Sequence, residues 1–432
     1  MTHKMTKKQF KEALLRGQGR CMNAILDAPE KYYTVVLWAC SHEVAFDAQC
    51  EGSRSWFVYQ LISCYQEKTS FLEAAITGLK NTKSDGGWKM LYLAELLSYF
   101  AEEGEELAKE AVWSKYEELY TALMARKRLK AGVFAERDDF AMLCQVLAGE
   151  KDSLLKIAED IGRLYRERPF YDAFDWLYDV KARRYIKTLK KGAQKSKNIA
   201  EYLRVEQEYE KAWQGRTEKP GENRPKKGVA LSLWLKYKAD EETVLQYART
   251  YLEQSDFKER AKALEAFFVC PFPENPLPII EDTKSECESL KEAAWRALEN
   301  IRHPLVRKFA VENIQMEVET VLPIFIMNYE EQDEEMLVSL VKSIKVNRNT
   351  ETAWHGIFRN VLGIKKWGMK VPASLLYYMY ENTYCSCCRE HILRQMGKQR
   401  LLTNEILKEC LFDCNDEVRS YAKRCLKRRN IM

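Results

Sequence analysis

RHPLVRKFAVENI (302–314) and NDEVRSYAKRCL (415–426) carry one pattern. A polar turn leads to an arginine, Arg307 or Arg419. A small residue follows three places on, Ala310 or Ala422, and a large aliphatic one seven places on, Ile314 or Leu426. Positions i, i+3 and i+7 share one face of an α-helix. Asn415 or Asp416 is placed to cap the second helix, and an alanine at the middle position lets a neighbouring helix approach closely. The frame returns as Leu337, Leu340 and Ile344 in LVSLVKSI, and as Arg389, Ile392 and Met396 in REHILRQM. The long step between these two copies holds an extra segment around GIKKWGMK, and an earlier copy, RAKALEAF, begins at Arg260.

These stretches resemble the second helix of HEAT-like repeats, where a capped turn, Val-Arg, a small residue and a closing leucine recur. Leu337 departs from that pattern by lacking the arginine. The resemblance is clear from Arg260 onward and loose before it. It implies antiparallel helix pairs stacked as an α-solenoid, and it leaves function open. The rest of the chain agrees on fold class. SWFVYQLISCYQ, SLLKIAEDIGRLYRE and VLQYARTYLEQ all carry the helical apolar period. VLPIFIMNY (321–329), the most strand-like run, lies between helical patterns and reads as a helix buried on both sides. Only 18 Gly and 11 Pro punctuate 432 residues, too few turn formers for a strand-rich chain. The expectation is all-α.

The length exceeds what one core serves, so two lobes or one elongated repeat array are expected. QGRTEKPGENRPKKG (214–228) loses the apolar period and holds Pro220 and Pro225. It separates an N-terminal helical lobe, 1–213, from a C-terminal HEAT-like lobe, 229–432. Hydrophobic residues at 46% and charged ones at 31% describe a folded chain rather than a disordered one. No run approaches the ~18 apolar residues of a membrane span. MTHKMTKKQFKEALL has no export-type apolar core, so a cytoplasmic location with 13 cysteines as thiols is the expectation.

Three features are candidate sites. AFDAQCEGSRSW (45–56) crowds Asp47, Gln49, Cys50, Glu51 and Arg54 into one turn. Read structurally, Ser53 caps the following helix and Arg54 pairs with Asp47 or Glu51; read functionally, the turn contacts a ligand. Cys50 has no histidine closer than His42 to generate a thiolate, so catalysis there is not expected. Nearby RGQGRC (16–21) lacks the spacing of a phosphate loop. CSCCREH (385–391) offers Cys385, Cys387, Cys388 and His391, with Cys410 or Cys414 needed to complete a tetrahedral zinc. The same segment also fits the repeat frame, where cysteine serves as a small buried hydrophobe. No metal and no cofactor is expected.

The third feature is positive charge. The net excess is only +5, so clustering decides its meaning. ARKRLKAG (125–132), KARRYIKTLKKGAQKSK (181–197), RPKKG, GIKKWGMK and KRCLKRR (423–429) are the clusters. Arg184, Lys187 and Lys191 fall on one helical face, and Tyr185 and Trp367, the latter beside Lys366, are rings within these runs that can stack on bases. The alkylpurine DNA glycosylases, also HEAT-like and basic on their concave face, are similar in these respects. FYDAFDWLYD (170–179) has their residue types, but its period reads as an amphipathic helix with aromatics in the core, so their activity is not carried over. With no Ser-His-Asp order, HExxH or P-loop in the chain, the expected function is a non-enzymatic scaffold. It binds another macromolecule, a protein first, through an extended concave surface. The alternative is a DNA- or RNA-binding HEAT-like protein, with or without base-excision chemistry.

Overall fold

The computed structural model describes residues 5–46, 54–84, 88–127, 133–148, 151–168, 186–217, 229–314, 318–344, 346 and 351–431. Among the described residues the regular structure is helical and contains no strand. None of these helices is long and apolar enough to cross a membrane. Packing divides the chain into two compact units. The first comprises Met1–Lys219, Tyr384–Cys387 and Thr403–Met432, and the second Pro220–Thr383 and Cys388–Leu402.

In the first unit, the helix Lys7–Arg16 starts with a capping box: Gln9 N–H donates to Thr6 Oγ1 at 3.2 Å, and Thr6 N–H donates to Gln9 Oε1 at 2.8 Å. Both satisfy donors that a helix start leaves open. The helix stops at Gly17, whose φ of 67° suits a residue without Cβ. Gly17 N–H reaches Leu14 O at 2.9 Å and Gln18 N–H reaches Ala13 O at 3.0 Å, which closes a Schellman turn. One continuous core follows, from Phe10, Tyr32 and Phe57 through Leu93 and Tyr116 to Ile161 and Tyr202, all buried.

Two long helices of this unit, Lys151–Glu167 and Lys197–Thr217, pack against each other through Gly162. A Cβ on Gly162 would collide with Asn198 O, so only glycine lets the backbones meet there. The turn before the second helix is pinned as well. Ser196 Oγ donates to the Glu159 carboxylate and accepts from Asn198 and Ile199 N–H at 3.1 and 3.2 Å. Asn198 Nδ2 donates to the same carboxylate at 2.7 Å.

In the second unit the frame residues fall on helices or at their ends, and Ile344, the closing residue of LVSLVKSI, is the half-buried, extended C-cap of its helix. Arg260 lies in Phe257–Leu264, Arg307 in Pro304–Asn313 and Leu337 in Glu334–Ser343. Ala310, Ile314, Leu337 and Leu340 are buried, as their spacing requires. The same holds in Ser386–Lys398 for Ile392 and Met396, and in the first unit's Asp416–Arg428 for Ala422 and Leu426. Asn415 does cap this last helix, accepting from Glu417 and Val418 N–H at 2.9 and 3.4 Å. VLPIFIMNY is helical over Val318–Met327, and Val321, Leu322, Ile324, Phe325 and Ile326 are all buried.

Two of the frame arginines have a job that spacing does not disclose. Arg260 Nε reaches Asp282 at 2.7 Å, and Arg307 Nη2 reaches Asp333 at 2.6 Å. Each ties its helix to an acid a little over twenty residues further along the chain. Tyr251 OH shares Asp282 at 2.6 Å, while the Arg260 guanidinium lies over the Tyr251 ring at 4.5 Å. These part-buried, shared carboxylates fix helix spacing better than exposed pairs do.

Gly162 and Gly356 give opposite expectations for one substitution. Gly356 sits in the helix Glu351–Gly363 with nothing within 4 Å of its missing Cβ. Gly356→Ala should stabilise by about 0.5–1 kcal/mol through helix propensity. Gly162→Ala should destabilise by about 3 kcal/mol, because the two helices must separate. Urea unfolding of both variants checks this, and a rise in midpoint for Gly162→Ala would contradict the close packing.

Candidate functional site

Of the polar turn at 45–56, Arg54 is described, and Asp47, Gln49, Cys50, Glu51 and Ser53 lie outside the described residues. Arg54 begins the helix Arg54–Ile62 and is only 3% exposed. Its Nη1 donates to Leu14 O at 3.4 Å and Leu15 O at 3.2 Å, and its Nη2 to Tyr384 O at 3.0 Å. The guanidinium therefore covers the carboxyl end of the first helix, where unbonded carbonyls and the helix dipole favour a cation. Tyr384 is held from its other end, since its OH donates to Glu12 at 2.6 Å and its ring lies 4.8 Å beneath the Arg16 guanidinium.

RGQGRC turns out to be packed solid. A Cβ on Gly17 would collide with Arg54 Nη1 and Cys414 Sγ, and one on Gly19 would collide with Glu409 O. Cys414 N–H donates to Gly17 O at 3.0 Å, and Arg20 pairs with Glu409 at 2.9 Å. Space that cannot admit a methyl group cannot admit a phosphate. The glycines serve close approach of protein to protein, and this polar knot is a structural centre of the first unit.

The cysteines divide by environment, and those described are free thiols. Burial pushes the thiols of Cys21, Cys40 and Cys144 well above the ordinary range, which leaves them poor nucleophiles at neutral pH. Cys385, Cys410 and Cys414 are buried in the first unit. In the second, Cys388 is 5% exposed while His391, its sequence partner, is exposed. Cys388 instead lies beside His355, with Sγ 3.6 Å from both ring nitrogens. Equal distance to the two nitrogens places the sulfur opposite Cε1 or over the ring. Neither nitrogen aims its lone pair at the thiol, so this is not the geometry of an activated Cys–His pair. A thirty-three-residue separation hides His355 from motif reading.

The surface carries the remaining candidates. Lys187 and Lys191 are exposed on the helix Ile186–Ala193, joined by Lys190, and Lys195 and Lys197 are exposed just beyond it. Arg184 and Tyr185 lie outside the described residues. Lys366 is exposed on the 3-10 turn Ile364–Trp367, which Gly368 closes at φ 78°, and the Trp367 side chain is outside what is described. The second unit also has an open hollow of about 410 Å³ on the helix Glu288–Leu298, lined by Glu288, Lys291, Glu292, Trp295, Arg296, Glu299 and Thr320. Trp295 is half-buried, with its ring 5.2 Å from Phe309, and Arg296 lies over the Phe268 ring at 4.4 Å. Burial raises the Glu299 carboxyl above its usual range, and Arg296 pulls it part of the way back. Sequence reading missed this hollow, because the helix presents only an ordinary amphipathic pattern.

If Arg54 is structural, Arg54→Met should cost about 3 kcal/mol, since buried carbonyls lose their donors. Arg54→Lys should recover little, because one ammonium does not reproduce a planar fork aimed at three carbonyls. Denaturant unfolding measures both, and an unchanged midpoint for Arg54→Met would return this residue to the ligand-binding candidates. A search of protein-family models and a search of characterised proteins each find no match to this chain.

Proposed function

We propose that the chain is a HEAT-like repeat protein acting as a non-enzymatic scaffold, with its helices paired and stacked within each unit, and that it binds another macromolecule, foremost a protein. One observation carries this reading. Arg54, Asp282, Asp333 and Glu159 are engaged within the fold, while the hollow on Glu288–Leu298 is open, of mixed charge and lined by a half-buried tryptophan. Arg54 serves carbonyls, Asp282 and Asp333 serve frame arginines, and Glu159 serves a turn.

Mixed charge around an aromatic floor suits a protein segment better than a uniform polyanion. Lys291 and Arg296 offer donors to acidic or amide groups, and Glu292 offers an acceptor to basic ones. Trp295 supplies the rigid apolar anchor that dominates many protein interfaces. Repeat proteins present such features along an extended surface, which fits the frame seen in sequence.

Crosslinking the tagged chain in its native lysate, followed by purification of the recovered protein and calorimetric titration, tests the reading. A saturable complex is expected, with Trp295→Ala weakening it about thirtyfold at a temperature where circular dichroism shows the variant fully folded. Failure of any purified candidate to bind, or equal binding by Trp295→Ala, would overturn the hollow as the binding surface.

A further inference from the structure

We infer that the lysine face of Ile186–Ala193 and the turn after it is a contact surface for the phosphate backbone of a nucleic acid, independent of base sequence. Lys187, Lys190, Lys191, Lys195 and Lys197 fall within eleven residues, all exposed, and no acidic residue occurs between Lys181 and Ala200. Among the described residues none of the five has an ionic partner. The charged helices around them behave otherwise: Arg204 is neutralised by Glu201 and Glu208 at 2.7 Å each, and Lys156 by Glu117 and Asp160 at 2.5 and 3.0 Å. Like charges left together repel and add nothing to folding, so this cluster is free to meet a polyanion.

The geometry is that of a preformed platform. Lys187, Lys190 and Lys191 stand at i, i+3 and i+4, on one face and about 5–6 Å apart at Cβ. The opposite face is anchored by Leu189, fully buried in the core. Lys195 and Lys197 flank Ser196, whose turn is clamped by Glu159. Arg166 adds charge beside them, donating to Asn198 Oδ1 at 2.8 Å. Two acids at or just after the turn are already engaged: Glu159 is bonded to Ser196 and Asn198, and Glu201 to Arg204.

Two other polyanions fit less well. A membrane-surface helix needs a free apolar face to insert, and here that face is occupied by the core. An acidic protein segment would be expected to meet some apolar or hydrogen-bonding relief, whereas the exposed side chains of this face are lysines that act as point charges. Lysine ammoniums at these five positions act on phosphate and carry no base information.

The test is fluorescence anisotropy of the full-length protein with a random-sequence duplex of about 25 base pairs, titrated at several KCl concentrations. The wild-type protein should bind with Kd between about 1 and 100 µM near physiological salt, and log Kobs should fall against log salt with a slope of about −4 to −5. Lys187→Gln, Lys190→Gln and Lys191→Gln combined should weaken binding at least about tenfold and remove about 2 to 3 from that slope. Lys195→Gln with Lys197→Gln should remove a smaller part, with circular dichroism melting unchanged in both variants. Absence of duplex binding at 50 mM KCl, about the lower end of the usual range, would overturn the assignment. So would an unaltered slope in the triple variant, or equal retention by poly-glutamate or phosphatidylserine vesicles. Binding of a protein at Trp295 is read separately, so the two proposals fail independently.

Discussion

The Arg54 guanidinium sets the organisation of the first unit. It lies almost fully buried at the carboxyl end of Lys7–Arg16 and bonds carbonyls that come from opposite parts of the sequence, Leu14 and Leu15 on one side and Tyr384 on the other. Desolvating a guanidinium is costly unless its donors are used, and the negative pole of a helix is among the few uncharged environments that use them well. The surrounding sequence follows from this demand. Gly17 must lack a Cβ because the guanidinium occupies that space, and Cys414 must be small because it closes the other side. Once 413–414 is bonded to Gly17, the helices Asn404–Cys410 and Asp416–Arg428 are committed to the same unit. Closing so long a loop costs only slowly more with length, which makes such a discontinuous unit affordable.

Much of the fold could be read from the residues because it depends on local periodicity. The frame positions Ala310, Ile314, Ala422 and Leu426 are buried, Asn415 caps as its type and place suggest, and VLPIFIMNY is a helix despite its β-branched content. What could not be read depends on partners remote in sequence. The acids expected to pair with Arg54, Asp47 and Glu51, lie outside the described residues, and its bonds to the carbonyls of Leu14, Leu15 and Tyr384 are ones that no residue pattern marks. His355 stands against Cys388 from a different helix, and the glycines of RGQGRC owe their identity to Glu409, Arg54 and Cys414. The division of the chain shows the same limit. The break in periodicity at 214–228 is visible, but the membership of 403–432 in the first unit rests on contacts no linear reading contains.

The two units use arginine differently, and the difference bears on how each would respond to change. In the second, Arg260 and Arg307 each join a helix to a carboxylate further along the chain, a repeated local step. Loss of one such step loosens neighbouring helices, as in repeat arrays where stability is a sum of near-neighbour terms. In the first, Arg54 and the Gly17–Gly19 turn concentrate several long-range contacts at one point. A defect there is shared by helices from both regions of the sequence that build the unit, so its effect should be larger and more cooperative.

Charge that has no structural use is therefore the clearest guide to function in this chain. Around Ser196 the acids are consumed by the turn and by Arg204, while five lysines are left facing water. Their side chains are exposed, so their mutual repulsion acts through water of high dielectric constant and the fold tolerates them at small cost. A polyanion experiences the same cluster differently, because each phosphate contact releases condensed counterions and the gains accumulate along the strand. The hollow beside Trp295 lacks that one-sided character, since acids and bases alternate around an aromatic floor. One surface is thus suited to a partner of uniform charge and the other to a partner of mixed chemistry, and the two lie in different units of the chain.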